Sequence, residues 1–311
     1  MTDHPLVPWT RVVTEYLGFL SSFAIIGAVA FRVIVLRPVR RRADVGQGPL
    51  ADWQRSAEAT AATIGLVGAL LGGVSLLGDL TRVATEKGIP LSEAATSGGI
   101  VIARAGLLVL LFGGFALAAM GRHSLWNALA VLSLALALRD VARGRWVALV
   151  NPLHVLAASL WLGTLFVVVV AGVRLAMKHQ LSDVRREPVI RETVNAFSRL
   201  ALMAVPLLVA SGVITAIRHL KYLAALWTTA YGYTFLGKMA VVSGVLAVGA
   251  WNWRVARPRL ASENGVTSLL KSARLELLLA TVVLALTAVL VSLPTPRLPT
   301  EQKAVAARAA P

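Results

Sequence analysis

The 311 residues contain no cysteine. Disulfides, zinc–thiolate sites, iron–sulfur clusters and thiol-based metal chaperoning are thereby removed together, and any metal must be held by His, Met, carboxylates or backbone oxygen. Charge is scarce as well. Asp, Glu, Lys and Arg make up 15% of the chain, against about 25% in a soluble globular protein, while 57% is hydrophobic. A soluble enzyme is excluded. Metalloprotease, phosphate-loop and nucleophile-elbow patterns are missing and no cluster of Ser, His and acid is evident, so the chain reads as a non-enzyme. Acidic residues are the scarcer charges, 15 against 31 Lys and Arg, for a net charge of +16. In a soluble protein that excess would suggest nucleic acid. Here the basic residues sit in short loops between apolar runs, which is a positive-inside pattern and calls for no nucleic-acid partner.

What the sequence has is apolar length. Runs able to cross a hydrocarbon core of about 30 Å lie near 12–36, 58–80, 98–119, 124–138, 152–173, 194–217, 231–252 and 273–293. They predict an all-α, polytopic membrane bundle of about eight transmembrane helices. The fourth run, built on ALAVLSLALAL, is the weakest because it is short; without it the count is seven and the downstream topology inverts. The basic stretch Arg139 to Arg145 divides the chain into an N-terminal membrane half, 1–150, and a second half, 151–294; the Pro- and Ala-rich tail, 295–311, is expected to be disordered. Ala28-Val29-Ala30 resembles a cleavage site, but residues 1–10 carry no Lys or Arg, so the first span is expected to be retained. With both termini external, the cytoplasmic loops hold 15 Lys and Arg against 11 on the other side, and the dense clusters Arg37 to Arg42 and Arg254 to Arg259 fall inside. The expected location is a bacterial inner membrane, with the lipid bilayer as partner.

Ionisable residues inside a bilayer are expensive and normally face a bundle interior or water. The outer half holds Glu15, Asp79, Arg104, His154 and Lys238; the inner half holds Arg32, Arg199, Arg274 and Glu276. Arg104 and Lys238 would reach outward along their helices, with Asp79 or Glu15 to neutralise them. Arg199 and Arg274 read as inner-surface anchors, and Glu276 as a partner for Arg199 across helices. Among five histidines, His123 and His179 fall inside, and His4, His154 and His219 outside. Asn151-Pro152 reads as a cap and first-turn proline, which puts His154 in the opening turn of the fifth helix, on one face with Trp161. His219 ends the sixth helix. Consecutive helices usually pack side by side, so the two imidazoles are expected near one external mouth. Neutral imidazole suits copper or zinc, and Met203 and Met239 would extend a soft path for Cu(I), although single methionines in apolar helices more often simply pack.

Four segments in order, NPLHVLAASLWLGTLF, FSRLALMAVPLLVASGVITAI, YGYTFLGKMAVVSGVLAVGAWN and KSARLELLLATVVLALTAVL, resemble the copper-resistance CopD family over roughly residues 151–294. GFLSSFAIIGAVAFRVIVLRP and the Arg104 helix resemble that family's first and third spans more loosely. The resemblance implies an inner-membrane protein that moves copper ion from the periplasmic side toward the cytoplasm or delivers it to a cuproenzyme, with a periplasmic copper-binding protein as partner. By motif position it singles out His154, Trp161, Tyr231, Gly232, Lys238 and Glu276. The chain departs from better-studied members in lacking long Met- and His-rich segments and a soluble copper-binding domain. Two other readings stay open: a structural or assembly subunit that binds no metal, and a mono-haem membrane cytochrome ligated by His154 and His219. Two stacked haems are excluded, because only His154 lies clearly within a span.

Overall fold

The structure, a computed structural model, describes residues 7–42, 49–96, 98–138, 149–178, 183–258 and 265–296. Among these there is no strand, and seven helices are long and apolar enough to cross a membrane: α1 (Trp9–Val39), α2 (Pro49–Lys87), α3 (Gly99–Ala119), α5 (Val150–Lys178), α6 (Pro188–His219), α7 (Ala230–Ala256) and α8 (Gly265–Ser292). The fourth predicted span is α4 (His123–Leu138), a 3₁₀ turn of three residues followed by a helix of 13. At 1.5 Å per residue it covers about 24 Å, short of a hydrocarbon core of about 30 Å. Among the described residues the fold is therefore an all-α bundle of seven long helices with α4 as a shorter apolar one, and two helical turns, Leu91–Thr96 and Ala225–Thr228, in connections. The expected dividing stretch, Arg139 to Arg145, and most of the predicted tail lie outside the described residues.

The helices form where the apolar runs predict, but the sequence's polar flanks join them. α2 begins at Pro49, nine residues before the predicted span, because Asp52 sits in its first turn and Pro is tolerated at a helix start. Helix α1 is the hub. It packs against α2, α4, α5, α6 and α8, so the two halves of the chain share one core. That core joins Ile25, Phe31 and Val35 of α1 to Trp53 of α2, Phe115 of α3, Trp126 of α4, Val167 of α5 and Ile190 of α6. The tightest crossing is between α1 and α5. A methyl built on Gly27 would fall onto the Gly163 carbonyl, and one built on Gly163 onto the carbonyl of Phe23. In a bilayer, where lipid is as apolar as leucine, small residues that admit such close approach are a main source of helix association.

Among the described residues, four π-helical stretches interrupt the α-helices, at Phe31–Val35, Ser159–Gly163, Val168–Val173 and Asn252–Ala256. Such turns redirect side chains and are frequent at functional sites. Helices α6 and α7 follow one another in sequence but make almost no direct contact; α7 packs instead on α8, and α6 on α5.

Candidate functional site

His154 lies one turn into α5, against α6. A carbonyl can only accept, so the approach of His154 Nδ1 to the Leu208 carbonyl (3.1 Å) means that Nδ1 carries the ring proton. The same N–H lies 3.1 Å from the hydroxyl oxygen of Ser211. That hydroxyl donates in turn to the Leu207 carbonyl at 2.7 Å. The lone pair is left on Nε2. This is how metal-binding histidines are commonly held, with the other ring nitrogen donating to a backbone carbonyl. Gly212 makes the space, since a methyl there would lie 3.0 Å from His154 Cε1. Lys238 on α7 is near enough for its charge to act directly on the imidazole.

His219 is oriented in the same way, its Nδ1–H donating to the Thr215 carbonyl (2.8 Å). Thr215 also donates to Asn151 Oδ1 at 3.1 Å, tying the end of α6 to the start of α5. The expected adjacency of the fifth and sixth helices is therefore present. The two rings are nevertheless anchored on carbonyls seven residues apart, roughly 10 Å along the α6 axis. A shared ion needs both nitrogens at about 2.0–2.1 Å, and this arrangement does not bring them there. Met203 and Met239 are 69% and 42% exposed, on the surface of the bundle rather than enclosed within it. Among the described residues, no three His, Cys, Asp or Glu side chains form a metal cluster.

The outer-half charges separate into two groups. Arg104 Nη1 lies 2.7 Å from Asp79 Oδ2, and Nη2 donates to Ser75 Oγ at 3.0 Å. Glu15 lies 4.0 Å from Arg11, one turn earlier on α1. Lys238, expected beside these acids, is close enough to His154 for its charge to act there instead; α7 packs chiefly on α8 and not on α2 or α3. The expected pairing of Glu276 with Arg199 is also replaced. Arg199 lies 3.6 Å from Glu192, and Glu276, only 3% exposed, accepts from Asn252 Nδ2 at 2.9 Å and from the Trp161 indole. Trp161 and Asn252 both belong to π-helical turns. Tyr231 and Gly232 serve packing: Tyr231 lies with Leu290 and Leu293, and the Gly232 N–H donates to Thr229 Oγ1 at 3.0 Å where the chain turns too tightly for a methyl.

Sequence reasoning missed the most buried charge cluster. Glu58 of α2, 2% exposed, lies 3.1 Å from Arg32 of α1 and 2.6 Å from His123 Nδ1 at the start of α4. Gln54 donates to it at 2.9 Å, and Arg32 lies over the Trp126 ring at 6.0 Å. The available signal was a lone acid at the edge of one apolar run and a lone base within another; a buried charge of either sign asks for its opposite. Ser211 and Gly212 were also missed, since their part is visible only once α5 lies against α6.

The segment that carries His219, Lys238, Asn252 and Glu276 is also the segment that known proteins share. Residues 191–290 match the family of copper resistance protein D, CopD. The match covers α6, α7 and most of α8, and it bears out the resemblance read from the sequence. Copper transport protein CutJ of Bacillus subtilis (strain 168) is 30% identical over 151 residues, 48% of this chain and 25% of that protein. The chain thus spans a quarter of the curated relative's length. No solved structure matches the chain. His154 lies outside the CopD match but is held by Leu208 and Ser211, which lie within it.

Proposed function

We propose that this multi-pass membrane protein handles copper ion as cargo, taking it at the end of the bundle where α5 begins and α6 ends. The observation that carries this reading is the free Nε2 of His154, left as the lone-pair nitrogen by the Leu208 carbonyl within a segment similar to copper resistance protein D. His219 has the same tautomer roughly 10 Å nearer the end of α6. We read the two as successive stations, His219 at the mouth and His154 a step inward, rather than as one two-histidine site. One imidazole per station binds an ion loosely enough to release it, as a carrier must. The uncompensated charge of Lys238 beside His154 opposes lasting occupancy by a cation and favours onward movement. The ion then passes toward the cytoplasm or to a cuproenzyme, and a periplasmic copper-binding protein presents it. The role is carriage and not catalysis.

The deciding experiment is metal analysis of the purified protein together with its visible spectrum, repeated for His154→Ala and His219→Ala. We expect copper in the wild type, no haem bands, and loss of copper in either variant at unchanged membrane levels. His179→Ala is the silent control. A haem spectrum, or copper retained equally in all variants, would overturn the reading.

A further inference from the structure

Helices α6 and α7, which barely touch each other, line with α5 and α8 a cavity of about 370 Å³. Along α5 it extends from Trp161 to Val173, roughly 18 Å at 1.5 Å per residue. That is a little more than one leaflet of a hydrocarbon core of about 30 Å. Its walls are apolar, from residues such as Val169, Phe197, Val205, Leu246 and Leu270. Its polar lining includes Glu276 and Asn252, bonded to each other, and the two basic residues Arg254 and Arg257.

Those two arginines are the informative feature. Arg254 lies in the π-helical turn Asn252–Ala256 that ends α7, Arg257 directly follows that turn, and both line the cavity. Arg257 is aimed by a neutral group, its Nε–H donating to Asn195 Oδ1 at 2.8 Å, so its terminal nitrogens keep both their charge and their donors. Among the described residues no salt bridge joins either arginine to an acid. Trp253, 43% exposed beside them, has the position of an aromatic at a membrane interface. An apolar cavity about one leaflet long, lined also by two arginines that no described acid neutralises, is the complement of a phospholipid with an anionic head. Basic pockets between transmembrane helices bind such headgroups by the same logic.

We propose that this cavity is a binding site for one anionic phospholipid, the phosphate lying between Arg254 and Arg257 and an acyl chain entering between α6 and α7. The bound lipid supplies the contact that α6 and α7 do not make with each other. The site is independent of copper handling.

The test is native mass spectrometry of the full chain in mild detergent, titrated with phosphatidylglycerol or with phosphatidylcholine. The wild type is expected to retain one phosphatidylglycerol where phosphatidylcholine is stripped away. At about 1 kcal/mol per basic residue near a membrane surface, the double variant R254Q/R257Q should bind it roughly 30-fold more weakly. Ala250→Trp, which fills the slot without changing charge, should also lose the lipid. Arg199→Gln, on the same half of α6 but outside the cavity lining, should keep it. Equal retention of the two lipids by the wild type overturns the proposal without reference to any variant. So does retention by R254Q/R257Q, unchanged binding in Ala250→Trp, or a co-purifying polypeptide in place of the lipid.

Discussion

Gly27 of α1 and Gly163 of α5 meet backbone to backbone, leaving no room for a methyl group on either. This contact sets how α5 crosses the hub helix. It therefore also sets the direction from which Trp161, two residues away, reaches Glu276. Replacing Gly27 with Ala must push the two backbones apart, and the expected cost is about 1–3 kcal/mol, typical of overpacking. Gly73 of α2 has nothing within 4 Å of where its Cβ would be; Gly73→Ala should be neutral or stabilising by about 0.5–1 kcal/mol. Thermal unfolding in detergent compares the two, and equal behaviour would show that the crossing tolerates separation.

Glu58 joins α2 to both α1 and α4. Glu58→Ala leaves the charge of Arg32, itself 7% exposed, buried without this partner, and should cost about 3–5 kcal/mol. His123, whose side chain is 47% exposed, should cost about 1 kcal/mol or less on truncation. Replacing Arg32 and Glu58 together by Met should recover most of the loss, because it removes both buried charges at once. If Glu58→Ala proves as mild as His123→Ala, the cluster contributes little to holding α4 in place.

Gly212 gives a test of the proposed copper station that leaves the histidine in place. A methyl 3.0 Å from His154 Cε1 should turn the ring off the Leu208 carbonyl. Loss of such support generally lowers metal affinity by about 10- to 100-fold. Chelator competition on Gly212→Ala should show that loss, with folding intact by thermal unfolding. Unchanged copper affinity would mean that the orientation of His154 is irrelevant to the metal.

Orientation is open to direct measurement. Loops that would be cytoplasmic hold 15 Lys and Arg against 11 opposite, so reporter fusions after Pro294 should be active outside the cytoplasm and fusions in the 37–57 loop inside it. Because α4 is short, fusions on its two sides carry the decision. A reporter at both ends of α4 reading the same compartment would make the count seven and put the second half the other way up.

Part of the site was legible before folding. The free energy of placing charge in lipid is so unfavourable that Arg32, Asp79, Arg104, Lys238 and Glu276 stand out by composition alone, and Asn151-Pro152 marks the start of the His154 helix. Their partners were not legible in the same way. Arg104 with Asp79 was foreseeable because α2 and α3 are consecutive and packed together. Glu276 with Asn252 and Trp161 was not, since it depends on two π-helical turns whose one-residue shift a regular 3.6-residue period does not contain.

The apolar runs by themselves determined that this chain is a helical membrane bundle, and which residues carry an energetic penalty that function or pairing must offset. Only the tertiary structure decided that His154 and His219 are anchored on α6 carbonyls two turns apart, that the charge of Lys238 acts on an imidazole, and that α5, α6, α7 and α8 enclose a cavity. The reason is physical. Burial in a bilayer depends on a residue's own chemistry, which is written at its position. Pairing depends on how helices rotate and cross, and contacts such as Gly27 against Gly163 set that between residues 136 positions apart.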